Sequence, residues 1–235
     1  MKVEAHIIAW NEAETIALTI RHYQSFCNDV TLYDNFSDDG TPEIAAKMGA
    51  RVIKFGIPGV LDDREYTKLK NECWKGSKAD WVIVVDCDEI LINKFGHMRE
   101  TLKDCLKNGS KILRPQGWQV INNDMPRYNW TELTNGYKDD NYSKLCCFSP
   151  AIEGINYVHG CHVAKTKDRV TQANDLFLMH YRNVGGPERL VARHALYRQR
   201  LSDWNKKWNA GVHYTYEDTQ RRKEWQEQYE RSKPF

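Results

Sequence analysis

Trp81-Val82-Ile83-Val84-Val85-Asp86-Cys87-Asp88 is the stretch that decides the fold. A Trp and an unbroken Val/Ile run, followed at once by two carboxylates, reads as a strand buried on both faces, as at the centre of a parallel sheet. Ligands of such sheets bind at the carboxyl ends of the strands. Two carboxylates at i and i+2 there converge on one hard cation if the chain turns. Oxygen ligands suit Mg²⁺ or Mn²⁺, either of which also binds a diphosphate.

The residues upstream carry an alternating pattern. Val3 to Trp10 reads as a strand, and Asn11 is placed to cap a helix from Glu12 to about Phe26, with Ile16, Ile20 and Tyr23 at helical spacing. Val30 to Tyr33 reads as a second strand, ending in the polar loop Asp34-Asn35-Phe36-Ser37-Asp38-Asp39-Gly40. Thr41 starts a helix with Pro42 in its first turn. A third strand is expected over Arg51 to Phe55 and a third helix over Asp63 to Gly76. This alternation implies a doubly wound α/β half with right-handed crossovers. Three polar clusters, at 9–12, 34–41 and 86–89, all fall at strand ends.

After about residue 110 the pattern changes. Short apolar runs near 111–121, 144–149, 155–165 and 176–181 suggest a mixed or antiparallel extension of the sheet. Residues 187–203 and 217–232 read as helices, the second highly charged. The expected organisation is one domain: a nucleotide-binding half over 1–110, an acceptor and metal half over 111–203, and a helical tail over 204–235.

Composition narrows the classes. The chain has 235 residues and a formal net charge of +2, which excludes a disordered polyelectrolyte and gives no mandate for nucleic-acid binding. Charge is uneven: residues 1–90 hold 10 Lys/Arg against 16 Asp/Glu, and residues 182–235 hold 12 against 7. An acidic first half suits a cation and a basic last quarter suits phosphates. The seven cysteines, an odd number with no C-x-x-C pair, point to reduced thiols in a cytoplasm-like compartment. No signal peptide is visible at the start, and no stretch approaches the roughly 20 apolar residues of a membrane span.

Four motifs in order carry a resemblance: Ala9-Trp10-Asn11-Glu12, the loop Asp34 to Thr41, Lys70-Asn71, and Asp86-Cys87-Asp88. Together they resemble the inverting glycosyltransferases of family 2, whose fold is GT-A. Asn35 and Phe36 depart from the family's usual loop, which bears on the base preference more than on the fold. The resemblance implies that Trp10, Asn11, Glu12 and Asp34 form the nucleotide side of the site, with Lys70 and Asn71 beside it. Asp86 would lie near the ribose or metal, and Asp88 would ligate the metal. Cys87 sits between them in the donor site with no chemistry of its own. A late histidine often completes the metal site in GT-A enzymes. His180, after the apolar run Leu176 to Met179, is the candidate, with His162 the alternative. The second half is also similar to short family 2-like enzymes of bacteria and their phages.

The remaining roles come from residue chemistry. Arg182, Arg189, Arg193, Arg198 and Arg200 cluster near one helix. Arg forks match phosphate geometry, and Arg182 stands nearest the expected site. Inversion requires a carboxylate base for the acceptor hydroxyl. Glu132, Asp139, Asp140, Glu153 and Asp175 are candidates, with Glu153 preferred for its place before Tyr157–His162. Aromatics crowd 118–142 and suit an acceptor cleft or core packing.

The expectation is a metal-dependent glycosyltransferase that uses Mn²⁺ or Mg²⁺ and a nucleoside-diphosphate sugar, a UDP-sugar by resemblance, and acts on a saccharide. A hydroxylated base in phage DNA is the rival acceptor. Nucleotidyl transfer and a non-catalytic nucleotide-binding module are the rival classes. The first lacks its Gly- and Lys/Arg-rich phosphate loop after the first strand, and the intact Asp86/Asp88 pair counts against the second.

Overall fold

The computed structural model describes residues 1–234. Its first half is the alternation expected: β1 Val3–Ala9, α1 Ile16–Gln24, β2 Asp29–Asp34, α2 Thr41–Lys47, β3 Arg51–Lys54, α3 Asp63–Glu72 and β4 Trp81–Asp86. These strands lie parallel in the order β4-β1-β2-β3. Every residue of β4 up to Val85 is buried, which is why the run contains no polar residue. The register pairs Ala9 with Asp34 and Ile8 with Asp86, so three strand ends stand level on one edge of the sheet.

The start of α1 differs from expectation. Asn11 has a φ of +50°, and its N–H is held by Ser37 Oγ at 2.8 Å, so it cannot cap a helix. Residues 12–15 turn instead through Thr15 and Ile16 N–H donation to the Glu12 carbonyl, and Thr15 takes the cap position.

The second half continues the same sheet. β5 Glu89–Asn93 and α4 Met98–Lys107 come first, then β6 Ile112–Asn122, β7 Asn135–Lys138 and β8 Cys147–Phe148. A small separate ribbon, β9 Ile155–Tyr157 with β10 Ala164–Thr166, precedes the long β11 Val170–Val184. β8 lies antiparallel to both β4 and β6 and so joins the two halves. β11 runs parallel to β6 and antiparallel to β5. The chain closes with α5 Gly186–Arg200, α6 Asp203–Lys207, α7 Asp218–Arg231 and β12 Lys233–Pro234, the last at the edge beside β7. α7 is anchored by Trp225, 2% exposed, against Ile121 and Leu190. Neither β5 nor α4 was expected, although α4 carries Met98, Leu102, Cys105 and Leu106 at helical spacing.

The main core lies between the sheet and α1, with Tyr23, Trp81 and Trp130 among its largest buried side chains. Trp130 was a candidate for an acceptor cleft. It is instead core, packed at a tilt against Tyr181 and donating to Thr19 Oγ1 at 3.0 Å.

Candidate functional site

The level strand ends open into a pocket of about 620 Å³. Its floor is Asp86, Cys87 and Asp88 with Lys70, Lys144 and His180. Trp10, Glu12, Arg182, Arg193 and Tyr197 form one wall. A loop with His159 and His162 and a C-terminal segment with Trp204 and Trp208 line the rest, and Tyr214 of that segment packs on Tyr197 at 4.9 Å beneath Arg182.

The pairing of β5 with β11 assembles the floor. Glu89 stands opposite His180 in that antiparallel ladder, and the Tyr181 N–H donates to the Asp88 carbonyl at 2.8 Å. His180 is thereby brought beside Asp88 from 92 positions further along the sequence. His180 Nδ1 lies 2.8 Å from Gln119 Oε1. A carbonyl oxygen only accepts, so Nδ1 carries the proton and Nε2 presents a lone pair. Nε2 is 3.7 Å from Asp88 Oδ2. Burial, then Lys144, pushes the imidazole down to about 3, so it is neutral at pH 7. The Nε2 lone pair therefore faces an Asp88 carboxyl oxygen across the gap.

Asp86 has a different setting. Its Oδ1 accepts from Lys70 Nζ at 2.9 Å and its Oδ2 lies 3.9 Å from Lys144 Nζ. Lys144 in turn bonds Glu89, whose other oxygen accepts the Asp86 N–H at 3.0 Å. Burial works against charge on Glu89, but Lys144 and Lys70 hold its carboxyl well below the usual carboxylate range. Sequence reasoning missed Lys144 and Glu89. The signal for Glu89 was its place directly after Asp88; Lys144 carried none.

Among the described residues no three His, Cys, Asp or Glu side chains converge as a complete metal cage. The donor set fits a hard divalent cation nonetheless. Such ions keep waters and bind through one or two protein groups plus substrate phosphates. Asp88 and His180 are the two side chains placed to hold such an ion, and Asp86 is engaged by its two lysines. His162 stands one ring away from His180: it lies edge-on to Tyr142 at 5.1 Å, and the Tyr142 ring stacks on His180 at 4.4 Å.

The other expected residues divide. Glu12 lines the pocket but is held bidentate by Arg193 and bonded by Thr15 Oγ1. Trp10 lines it too, with Arg200 stacked 3.6 Å above its ring centre. Arg182 reaches the pocket, donating to His194 Nε2 at 2.7 Å. Asp34 is fully buried, accepts the Ser37 N–H and is not on the pocket wall. Asn11 ties the first loop to the second through Asp38. Asn71 clamps the Tyr157 backbone through both its amide atoms. Glu153 stands on an exposed turn near Asp168, away from the pocket. Its proximity in sequence to Tyr157 did not carry into space.

Comparison with known structures follows this geometry. S. aureus TarS aligns over 84% of this chain and 39% of its own, at a TM-score of 0.51 and 13% identity. Its 1–349 fragment, solved with UDP-GlcNAc, aligns over 84% of this chain and 65% of that one, at 0.51 and 17%. The chain has the GT-A fold. An uncharacterised glycosyltransferase of Rickettsia felis is 32% identical over 90 residues, and one of Rickettsia conorii is 31% identical over the same length. That match takes in 38% of this chain and 30% of the relative. No protein-family model matches. Within the GT-A frame, the Asp86–Asp88 turn sits at the carboxyl end of the central strand β4.

Proposed function

We propose that the protein is a family 2-like glycosyltransferase that transfers a sugar from a nucleoside-diphosphate sugar, a UDP-sugar, to a saccharide hydroxyl with inversion. The observation that carries the reading is the Asp88–His180 pair of opposed acceptors on the floor of a GT-A pocket. Opposed lone pairs of one carboxylate and one neutral imidazole call for a cation between them. Mn²⁺ or Mg²⁺ is that cation, and when bound it neutralises charge on the departing diphosphate.

The chain's own residues do the rest. Lys70, buried beneath Asp86, fixes that carboxylate at the pocket floor, where it accepts from a ribose hydroxyl. Arg182 adds a fixed positive charge beside the diphosphate. Trp10 gives a flat wall for the base, kept in place by Arg200 and Tyr197. A saccharide is preferred to DNA as acceptor because the net charge of +2 leaves no dominant basic surface. Among the described residues no helix is long and apolar enough to cross a membrane. The seven free thiols suit work in the cytoplasm.

The test is UDP release from UDP-glucose, UDP-galactose and UDP-GlcNAc with Mn²⁺ and no added acceptor. Slow hydrolysis of one of them, lost in Asp88→Asn, supports the reading. No UDP release from any of them, or release unaffected by Asp88→Asn, counts against it.

A further inference from the structure

The pocket extends past the donor-side residues to a group of aromatic side chains near solvent. α6 and the segment after it carry Trp204, Trp208, His213 and Tyr214 onto the pocket wall. Trp208 is 64% exposed, an unusual position for so large an apolar ring. Trp204 is half-buried, edge-on to His159 at 4.6 Å.

The mounting is rigid. Asn205, between the two tryptophans, is fully buried. Its Oδ1 accepts the Asp63 N–H at 3.0 Å and its Nδ2 donates to Asp63 Oδ1 at 3.0 Å. Ser202 caps α6 by accepting the Asn205 N–H. The ring of Trp208 is therefore held open to solvent by a fixed base.

Asp63 completes the arrangement. Four carboxylates line the pocket: Glu12, Asp63, Asp86 and Asp88. Glu12 is taken by Arg193, Asp86 by Lys70, and Asp88 faces His180. Asp63 has no ion pair among the described residues, and burial raises its carboxyl above the usual range. Its carboxylate accepts from Asn205 Nδ2 and from the Gly160 N–H, so of the four it alone is held by neutral donors only.

We infer that the mouth of this pocket is a saccharide-acceptor subsite, with Trp208 and Trp204 as its stacking faces and Asp63 as the carboxylate that holds the accepting hydroxyl. This rests on the glycosyltransferase reading above. Aromatic faces suit the C–H face of a sugar ring, and a carboxylate suits its hydroxyls while repelling a phosphodiester chain. In transfer, the hydroxyl proton passes to Asp63 as the oxygen bonds the donor's anomeric carbon. The bond from that carbon to the phosphate oxygen breaks, and its electron pair leaves with the diphosphate.

The experiment uses saturation-transfer NMR on the full chain with Mn²⁺ and saturating UDP. The probes are the methyl glycosides of glucose, galactose and N-acetylglucosamine, with UDP affinity measured in parallel. At least one glycoside is expected to bind, and Trp208→Ala to weaken it about fivefold or more while leaving UDP affinity unchanged. In a parallel assay with a UDP-sugar as donor in place of UDP, Asp63→Asn is expected to cut glycoside-dependent UDP release about 100-fold, again with UDP affinity unchanged. UDP binding without any glycoside signal, glycoside binding indifferent to Trp208, or displacement of the glycoside by a short oligodeoxynucleotide each overturn the subsite and leave the donor reading standing. Failure to bind UDP at all overturns the donor reading itself, and the subsite with it.

Discussion

Lys70 Nζ lies 2.9 Å from Asp86 Oδ1, and the lysine is 2% exposed. One helix, α3, thereby reaches under the end of β4 and fixes the first carboxylate of the motif. Removing a single partner from such a buried pair leaves uncompensated charge. Lys70→Met should destabilise the fold by roughly 3–5 kcal/mol, read as a lower urea midpoint at unchanged slope. A loss under about 1 kcal/mol would show that Asp86 and Glu89 are satisfied by Lys144 alone.

Gln119 acts on the metal side through His180. It fixes the proton on Nδ1, and its own amide is set by donation to Asp139 Oδ2 at 3.3 Å. Gln119→Leu should weaken Mn²⁺ affinity about 10–100-fold, measured by titration calorimetry with UDP present. Unchanged affinity would mean that His180 does not ligate.

Gly117 lies where the chain 139–143 crosses β6. A Cβ there would overlap the backbone of Tyr142, Asp139 and Ser143. The same crossing holds Tyr142 over His180. Gly117→Ala should cost about 3 kcal/mol, checked by thermal unfolding; a variant of native stability would show that this segment yields freely.

The first half was legible because β1, β2 and β4 each end in a polar motif at a level register. The apolar run 81–85 needs no tertiary information to be read as a central strand. The second half was less legible for a physical reason. Lys144, Asp63 and Trp208 reach the pocket through long-range packing, and none sits in a local pattern that announces a site. Glu153 shows the converse, a residue near the right segment in sequence and on the wrong side in space. His180 was readable only as the end of an apolar strand; its partner Gln119 emerged from the β6–β11 register.

His6 gives the clearest pH dependence. It is 6% exposed, beside Tyr33 and Glu4, and its Nε2 makes no hydrogen bond. Burial pushes it down to about 4, against the pull of Glu4. The unfolded chain, with an ordinary histidine near 6.5, takes up a proton first as pH falls. Stability from this group is complete above about 6.5 and lost towards 4, by on the order of 3 kcal/mol. The pH dependence of the melting temperature in that window should flatten in His6→Phe. An identical slope in the variant would exclude His6 as its source.

The most direct test of the central claim is thermal stabilisation by UDP, CDP, ADP and GDP, each with and without Mn²⁺. A ligand that binds only the folded state raises the melting temperature by mass action. The account predicts a shift with UDP that needs Mn²⁺ and vanishes in Asp88→Asn. A UDP shift of equal size without metal or in that variant, or no shift with any diphosphate, contradicts it.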